Sequence, residues 1–163
     1  MNNRYTRQFA VVPRTRRGTT TVEFALVAPL LIFLLFGIIE FGIMVKNVVG
    51  LNQAAREGAR VAAVGAAPAT LDNRVIGSAP GIPGDQIVTL YEYRSYDEST
   101  STWSSWTALG TVEGENDASA GDQIKVSLVY PHSLVTGQLF AGLADNPEQG
   151  TIDLHAAIIM MRE

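Results

Sequence analysis

Hydrophobic residues are concentrated in one long stretch near the start of the chain. Residues 24–39 are sixteen consecutive positions without a charged or strongly polar side chain. Extended to residue 45, the stretch has twenty-two residues and gives about 33 Å of helix, against a hydrocarbon core of about 30 Å. Because backbone groups inside a bilayer need internal hydrogen-bond partners, a helix is expected there. The pattern predicts a transmembrane helix over residues 19–45.

Helical periodicity continues after the apolar stretch, over residues 46–67. This part is predicted to be an extracytoplasmic continuation of the same helix, ending near Gly65 and Pro68. Small residues repeat along it at four-residue spacing: Ala54, Ala55, Gly58, Ala59 and Ala62. Such a stripe allows another element to approach closely. It packs either on the protein's own sheet or against a neighbouring subunit, and the sequence leaves both open.

The pattern changes in residues 68–163, where alternating stretches predict strands. The predicted strands are residues 86–94, 103–112, 123–130 and 151–161. A short helix is predicted over residues 69–76, and residues 133–143 fit either a short helix or an apolar loop. The fold class is therefore α+β, with a long N-terminal helix and a small antiparallel sheet of about four strands in an extracytoplasmic domain of residues 68–163.

Charge is distributed unequally on the two sides of the apolar stretch. The chain has five arginines and no acidic residue before Glu23, and it has six basic and fourteen acidic residues after Lys46. Basic segments beside a span are retained in the cytoplasm, so the bias predicts a cytoplasmic N-terminus and an extracytoplasmic C-terminal domain, single-pass in the cytoplasmic membrane. The acidic exported part argues against nucleic acid as a partner.

A secretory signal peptide explains the N-terminal region less well than a permanent anchor. The apolar run is longer than the usual apolar region of a signal, and the residues after Lys46 match an A-x-A cleavage site poorly. A single-span anchor is therefore preferred.

A family resemblance lies in residues 16–64. Gly18 is followed by three threonines and Val22, and then Glu23 and Phe24 open the apolar helix. This arrangement resembles the processing site of type IV prepilins. The longer block VEFALVAPLLIFLLFGIIEFG, followed by LNQAAREGAR, resembles the TadE-like family of tight-adherence (Flp-type) pilus assembly proteins.

The resemblance implies a pilin-like fold and a non-enzymatic role as a pseudopilin or minor pilin of a tight-adherence type IV pilus system. It implies that a prepilin peptidase cuts between Gly18 and Thr19, removes a basic cytoplasmic leader of residues 1–18, and recognises the site that includes Glu23 and Phe24. The implied partners are that peptidase, other pilins or pseudopilins, the inner-membrane pilus platform and membrane lipid. The alternative is an uncut, membrane-anchored scaffold of the same machine. Thr19 departs from the aromatic residue that many type IV pilins have at this place.

Three residues of the span have more than one interpretation. Glu23 either pairs with the new ammonium group of Thr19 after cleavage, within or between subunits, or stabilises the helix start through the helix dipole. Pro29 predicts either a packing kink or a local weak point that helps the helix leave the bilayer. Glu40 snorkels to the interface, pairs with Lys46, or pairs with a cation of a partner protein.

The chain offers little for catalysis or metal binding. It has no cysteine, which excludes disulfides and thiolate chemistry. His132 and His155 are far apart in sequence, and Asp153 with His155 on one face of a strand is a weak metal site. The acidic residues 113–122 lack the turn glycine and closing glutamate of an EF-hand, so a solvated loop is predicted. We predict no enzyme activity, no metal and no cofactor. A membrane-tethered enzymatic or ligand-binding domain is a third hypothesis, for which no catalytic motif is present.

Overall fold

The computed structural model describes residues 17–163. Within this range the chain forms two α-helices, eight β-strands and two short 3-10 helices. Their bounds are α1 Arg17–Ala63, α2 Pro68–Gly77, a 3-10 helix Gly84–Gln86, β1 Val88–Arg94, β2 Tyr96–Asp97, β3 Thr102–Trp103, β4 Thr107–Ala108, β5 Thr111–Val112, β6 Glu115–Asn116, β7 Gln123–Ser133, a 3-10 helix Gly137–Leu143 and β8 Thr151–Met161. The residues fall into two compact units, one that ends at Ile38 and one of Ile39–Glu163.

Helix α1 has 47 residues and contributes to both units. It confirms the long N-terminal helix that the apolar stretch predicts. Pro29 lies inside it, where the proline has no N–H to donate to the preceding turn. The predicted leader, residues 1–18, lies outside the described residues except for its last two positions, which are helical.

The main sheet of the second unit has four antiparallel strands in the order β4-β1-β7-β8. Its centre is the long pairing of β7 with β8, in which Val126 lies opposite Ile158, while Val126 also lies opposite Tyr91 of β1. The alternation predicted for β7 and β8 is confirmed, because every second residue of β7 from Ile124 to His132 is buried. The structure therefore confirms the α+β class with a small antiparallel sheet.

One hydrophobic core holds α1, α2 and the sheet together. Leu51 of α1, Leu71 and Val75 of α2, and Ile124 and Leu128 of β7 are fully buried in it. Side chains of this size each stabilise the folded state by about 1.5–3 kcal/mol when they are removed from water. The core therefore fixes the C-terminal part of α1 as a structural element of the domain.

The end of α1 is capped by distant parts of the chain. Gly65 adopts a φ of 98°, and the N–H of Ala66 donates to the carbonyl of Val61 at 3.3 Å, which is a Schellman ending. The side-chain amide of Asn116 donates to the carbonyls of Ala62 and Ala66 at 2.8 and 3.0 Å. The helix ends where Gly65 predicts, with Asn116 of β6 bound to the carbonyl of Ala62 and the N–H of Glu163 bound to that of Ala63.

The prediction of one strand over residues 103–112 is wrong. The segment forms three two-residue strands in different sheets, and only β4 joins the main sheet. Trp103 packs on Tyr96 with 5.1 Å between ring centroids. The ring of Trp106 lies 4.5 Å from the guanidinium carbon of Arg94 and 4.3 Å from the ammonium of Lys125. These are cation–π contacts, which alternation along the sequence does not report.

Candidate functional site along helix α1

The predicted cleavage bond lies at the start of α1. The helix begins at Arg17, so the backbone of Gly18 and Thr19 is already helical. Glu23 is exposed, and the ring of Phe24 is 69% exposed. Glu23 is the seventh residue of the helix, beyond the first turn, in which the helix dipole acts most strongly.

Residues 20–39 present apolar side chains to their surroundings. Their large hydrophobic side chains are between 41% exposed, for Phe36, and 75% exposed, for Leu26. Pro29 is exposed as well. This is the one helix in the described part of the chain that is long and apolar enough to cross a membrane. Side chains of this kind are stable only in lipid or against other apolar surfaces.

The small-residue stripe of α1 lies inside the domain. Its five members are all buried: Ala54, Ala55, Gly58, Ala59 and Ala62. Gly58 leaves no room for a side chain, because a Cβ atom there would lie 2.7 Å from Cγ2 of Val75 and 3.4 Å from Cγ1 of Val126. The small size of these residues lets α1 approach α2 and the sheet closely.

Glu40 is a buried carboxylate in the second unit, and only 2% of its surface is exposed. Its Oε1 accepts a hydrogen bond from the N–H of Val135 at 2.9 Å. Its Oε2 accepts from the N–H and from the hydroxyl of Thr136 at 2.9 and 2.8 Å. Three donors on one carboxylate offset much of the cost of removing its charge from water.

His132 and Asn47 extend this buried group. Nε2 of His132 lies 3.6 Å from Oε1 of Glu40, and Nδ1 lies 3.2 Å from Nδ2 of Asn47. Because an amide nitrogen only donates, Nδ1 accepts and the ring proton of the neutral imidazole is assigned to Nε2, on the side of Glu40. All three side chains are buried. Glu40, His132 and Asn47 thus form one polar group between α1 and the end of β7.

The predictions that Glu40 snorkels or pairs with Lys46 are wrong, because the carboxylate is buried and accepts hydrogen bonds from Val135 and Thr136. Pairing of Glu40 with a cation of a partner protein stays a prediction. Sequence reasoning missed Val135 and Thr136 entirely and considered His132 only as a metal ligand. The available signal is an acid directly after a sixteen-residue apolar stretch, since such an acid requires nearby donors.

Asp153 and His155 are both exposed on β8. His132 is buried on β7, whereas His155 is exposed on β8. Across residues 17–163, no cluster of three or more histidine, aspartate or glutamate side chains could hold a metal ion.

The acidic residues 113–122 are more structured than a solvated loop. Asp122 is buried and accepts a hydrogen bond from the N–H of Ser119 at 2.8 Å. Glu115 pairs with Arg162 at 3.2 Å. The prediction of a solvated acidic loop is confirmed for Glu113 and Glu115, which are exposed, and is wrong for Asp122, which is buried.

A second polar contact joins α2 to the sheet. Oδ1 of Asp72 accepts hydrogen bonds from the hydroxyls of Thr89 and Tyr91 at 3.0 and 2.8 Å. Burial raises the pKa of Tyr91, and the hydrogen bond to Asp72 raises that pKa further. The phenol therefore stays protonated and donates to Asp72 throughout the neutral range.

Comparison with known proteins yields one match. Residues 18–60 match the family model described as TadE-like protein. No curated protein and no solved structure matched the chain. The matched segment includes the predicted cleavage bond, the apolar stretch, Glu40 and the stripe as far as Ala59. The family match and the long apolar helix together fit a membrane protein associated with tight-adherence pili. The predicted resemblance to the TadE-like family is therefore confirmed over residues 18–60.

Proposed function

We propose that this protein is a pseudopilin or minor pilin of a tight-adherence type IV pilus system, without enzyme activity, and that it assembles through residues 20–39 of α1. The observation that carries the proposal is the exposure of large apolar side chains throughout this part of a TadE-like helix. Such a surface requires lipid before assembly and neighbouring apolar helices after it. The C-terminal part of α1, by contrast, is covered by the protein's own core.

The proposed orientation has the N-terminus in the cytoplasm and residues 46–163 outside. It rests on the five arginines before Glu23 and on the acidic excess after Lys46. This orientation presents the Gly18–Thr19 bond to a peptidase at the cytoplasmic face. The partners are then that peptidase, other pilins and the platform in the inner membrane.

Glu23 is the residue that we assign to assembly. Cleavage after Gly18 creates an ammonium group on Thr19, four residues before the Glu23 carboxylate. Both charges lie at the edge of the hydrocarbon region, where an unpaired carboxylate is costly. Pairing Glu23 with the Thr19 ammonium of a neighbouring subunit fixes the register between adjacent helices, as interfacial ion pairs do.

A second candidate, the uncut scaffold, is favoured by one observation. Helix α1 already includes Arg17 and Gly18, so the backbone hydrogen bonds of the first turn have to open before a peptidase can bind the Gly18–Thr19 bond in an extended form. A chain that keeps its leader retains this turn and stays in the membrane.

The test is to follow the full chain, tagged at its C-terminus, in cells that form the pilus. Filaments sheared from the cells and washed membranes are compared, and the N-terminal residue of each pool is determined by sequencing. A pseudopilin gives chains that begin at Thr19 and reach the sheared fraction. Chains that begin at Met1 and stay only in membranes favour the scaffold, and a freely soluble full-length monomer overturns both.

A matched pair of variants separates cleavage from folding. Gly18→Val places a bulky side chain at the cut and is expected to leave the leader attached. Thr21→Val is the control, because it changes the same turn of α1 without touching the bond. Equal cleavage of the two variants contradicts the assigned processing site.

A further inference from the structure

The loop that binds Glu40 is itself apolar. Residues 126–144 contain no aspartate, glutamate, lysine or arginine, in a domain that is otherwise rich in acids. Within them, residues 134–143, here called the apolar loop, lead from the end of β7 through a 3-10 helix. Val135 is 64% exposed and Leu143 is 58% exposed. An exposed apolar segment without charge is unusual on a surface that faces only water.

Glu40 fixes where this loop lies along α1. The hydrogen bonds from the N–H groups of Val135 and Thr136 to Glu40 are both 2.9 Å long. The backbone of the loop at these two residues is therefore level with residue 40 of the helix. Residue 40 follows directly on residues 24–39, the charge-free stretch.

The length of the helix puts this level at a membrane boundary. The sixteen residues 24–39 give about 24 Å of helix, which is shorter than a hydrocarbon core of about 30 Å. When Glu23 lies at one edge of the bilayer, the hydrocarbon core and the opposite lipid interface therefore extend past residue 39. Phe41 and Val45, which are 51% and 60% exposed, continue the apolar surface of the helix beyond Glu40.

Burial of Glu40 by the loop removes the objection to a carboxylate at that depth. Charged groups near hydrocarbon are tolerated where protein donors satisfy them, and non-helical backbone is tolerated there where it is buried in protein. The loop supplies three donors to Glu40, and its own Phe140 is buried. Val135 and Leu143 remain on the outside.

We propose that the apolar loop is a second membrane contact, which inserts Val135 and Leu143 into the lipid interface beside the point where α1 leaves the bilayer. The ligand is the lipid surface itself, recognised by apolar contact rather than by headgroup charge. This inference rests on the proposed membrane anchoring by α1. Together, loop and helix hold the domain against the bilayer at two points, so its orientation to the membrane is restricted.

The test uses the full chain, which has no cysteine of its own. Single variants Val135→Cys and Leu143→Cys are labelled with an environment-sensitive fluorophore and reconstituted into phosphatidylethanolamine–phosphatidylglycerol vesicles. A lipid that carries a nitroxide quencher near its headgroup is then added to the composition. The expected result is a loss of fluorescence at both loop positions and a blue shift of their emission.

Two further positions make the result decisive. Val112→Cys is the matched control, because Val112 is an exposed valine, at 58%. It lies on the hairpin whose Asn116 binds the carbonyl of Ala62. Ala62 is about 33 Å along α1 from Glu40. Leu30→Cys reports insertion of the span itself. If Leu30 is quenched but both loop positions behave like Val112, the loop proposal is overturned while the anchor stands. If Leu30 is not quenched either, the anchoring and the loop contact both fail.

Discussion

Glu40 and Thr136 are 96 positions apart in the chain, yet one carboxylate oxygen of Glu40 accepts both the N–H and the hydroxyl of Thr136, at 2.9 and 2.8 Å. The contact joins the first residue after the apolar stretch to a loop at the end of the longest strand pairing. It therefore joins the part of α1 that follows the apolar stretch to the loop after β7.

Replacing Glu40 with alanine is expected to destabilise the domain. The N–H groups of Val135 and Thr136 lose their acceptor, and a hydrogen bond to a charged group contributes about 1.5–3 kcal/mol to stability. The full chain is unfolded thermally in detergent micelles, and hydrogen exchange at residues 134–137 is measured alongside. We expect a lower melting temperature and faster exchange in the loop.

The matched control for this variant is Glu98→Ala, which removes an exposed carboxylate of the same length. Surface changes of this kind usually alter stability by less than about 0.5 kcal/mol. Equal melting temperatures for Glu40→Ala and Glu98→Ala contradict a structural role for the buried carboxylate.

Alkaline pH is expected to weaken the domain through Tyr91. The folded pKa of this phenol is raised above the ordinary value of 10.0, first by burial and then by Asp72. A group with a raised pKa stabilises the folded state fully below its unfolded pKa and loses that contribution as pH rises above it. The free energy of unfolding should therefore fall above pH 10.0 by up to about 1.4 kcal/mol per pH unit.

Tyr91→Phe isolates this effect from the other titrating groups. The variant lacks the phenol, so its unfolding free energy should fall less steeply than that of the native chain when both are measured by denaturant titration above and below pH 10.0. Parallel curves for the two proteins contradict the assignment.

Local patterns predicted the elements in which buried residues recur at the regular spacing of a strand or a helix. The alternation of Ile124, Val126, Leu128 and Tyr130 gives the inner face of β7, and residues 151–161 match β8 in both bounds. The helix end at Gly65 follows from its backbone preference. These predictions succeed because each rests on residues a few positions apart.

Contacts between distant segments account for what the sequence did not reveal. Glu40 meets a loop 95 and 96 positions away, and no periodicity connects them. Trp106 follows Arg94 and Lys125 rather than an alternating pattern. The sequence shows the stripe of small residues. It does not show that Val75 of α2 packs on this stripe, because that contact depends on how the helix docks.

Glu23→Gln is expected to reduce pilus assembly without unfolding the domain. Glu23 is exposed at the start of α1, so its charge contributes little to the fold, whereas the proposed pairing with the Thr19 ammonium requires a carboxylate. The amount of protein in sheared filaments and the amount in membranes are measured for this variant and for Glu23→Asp, which keeps the charge. Undiminished filaments with glutamine at this position contradict the assembly role.

Gly58→Ala tests whether close packing of α1 on α2 sets the stability of the domain. A Cβ atom at Gly58 would lie 2.7 Å from Cγ2 of Val75, and both residues are buried, so one of the two elements has to shift. Overpacking of this kind costs about 1–3 kcal/mol. Gly42→Ala is the control in the same helix, since nothing lies within 4 Å of a Cβ there, and it should stabilise the helix by up to about 1 kcal/mol.

The double variant Gly58→Ala, Val75→Ala removes the clashing methyl groups, so its loss of stability should be smaller than the sum of the two single losses. Additive losses in thermal unfolding would mean that the two residues do not compete for the same space, and α1 would then owe its position to other contacts.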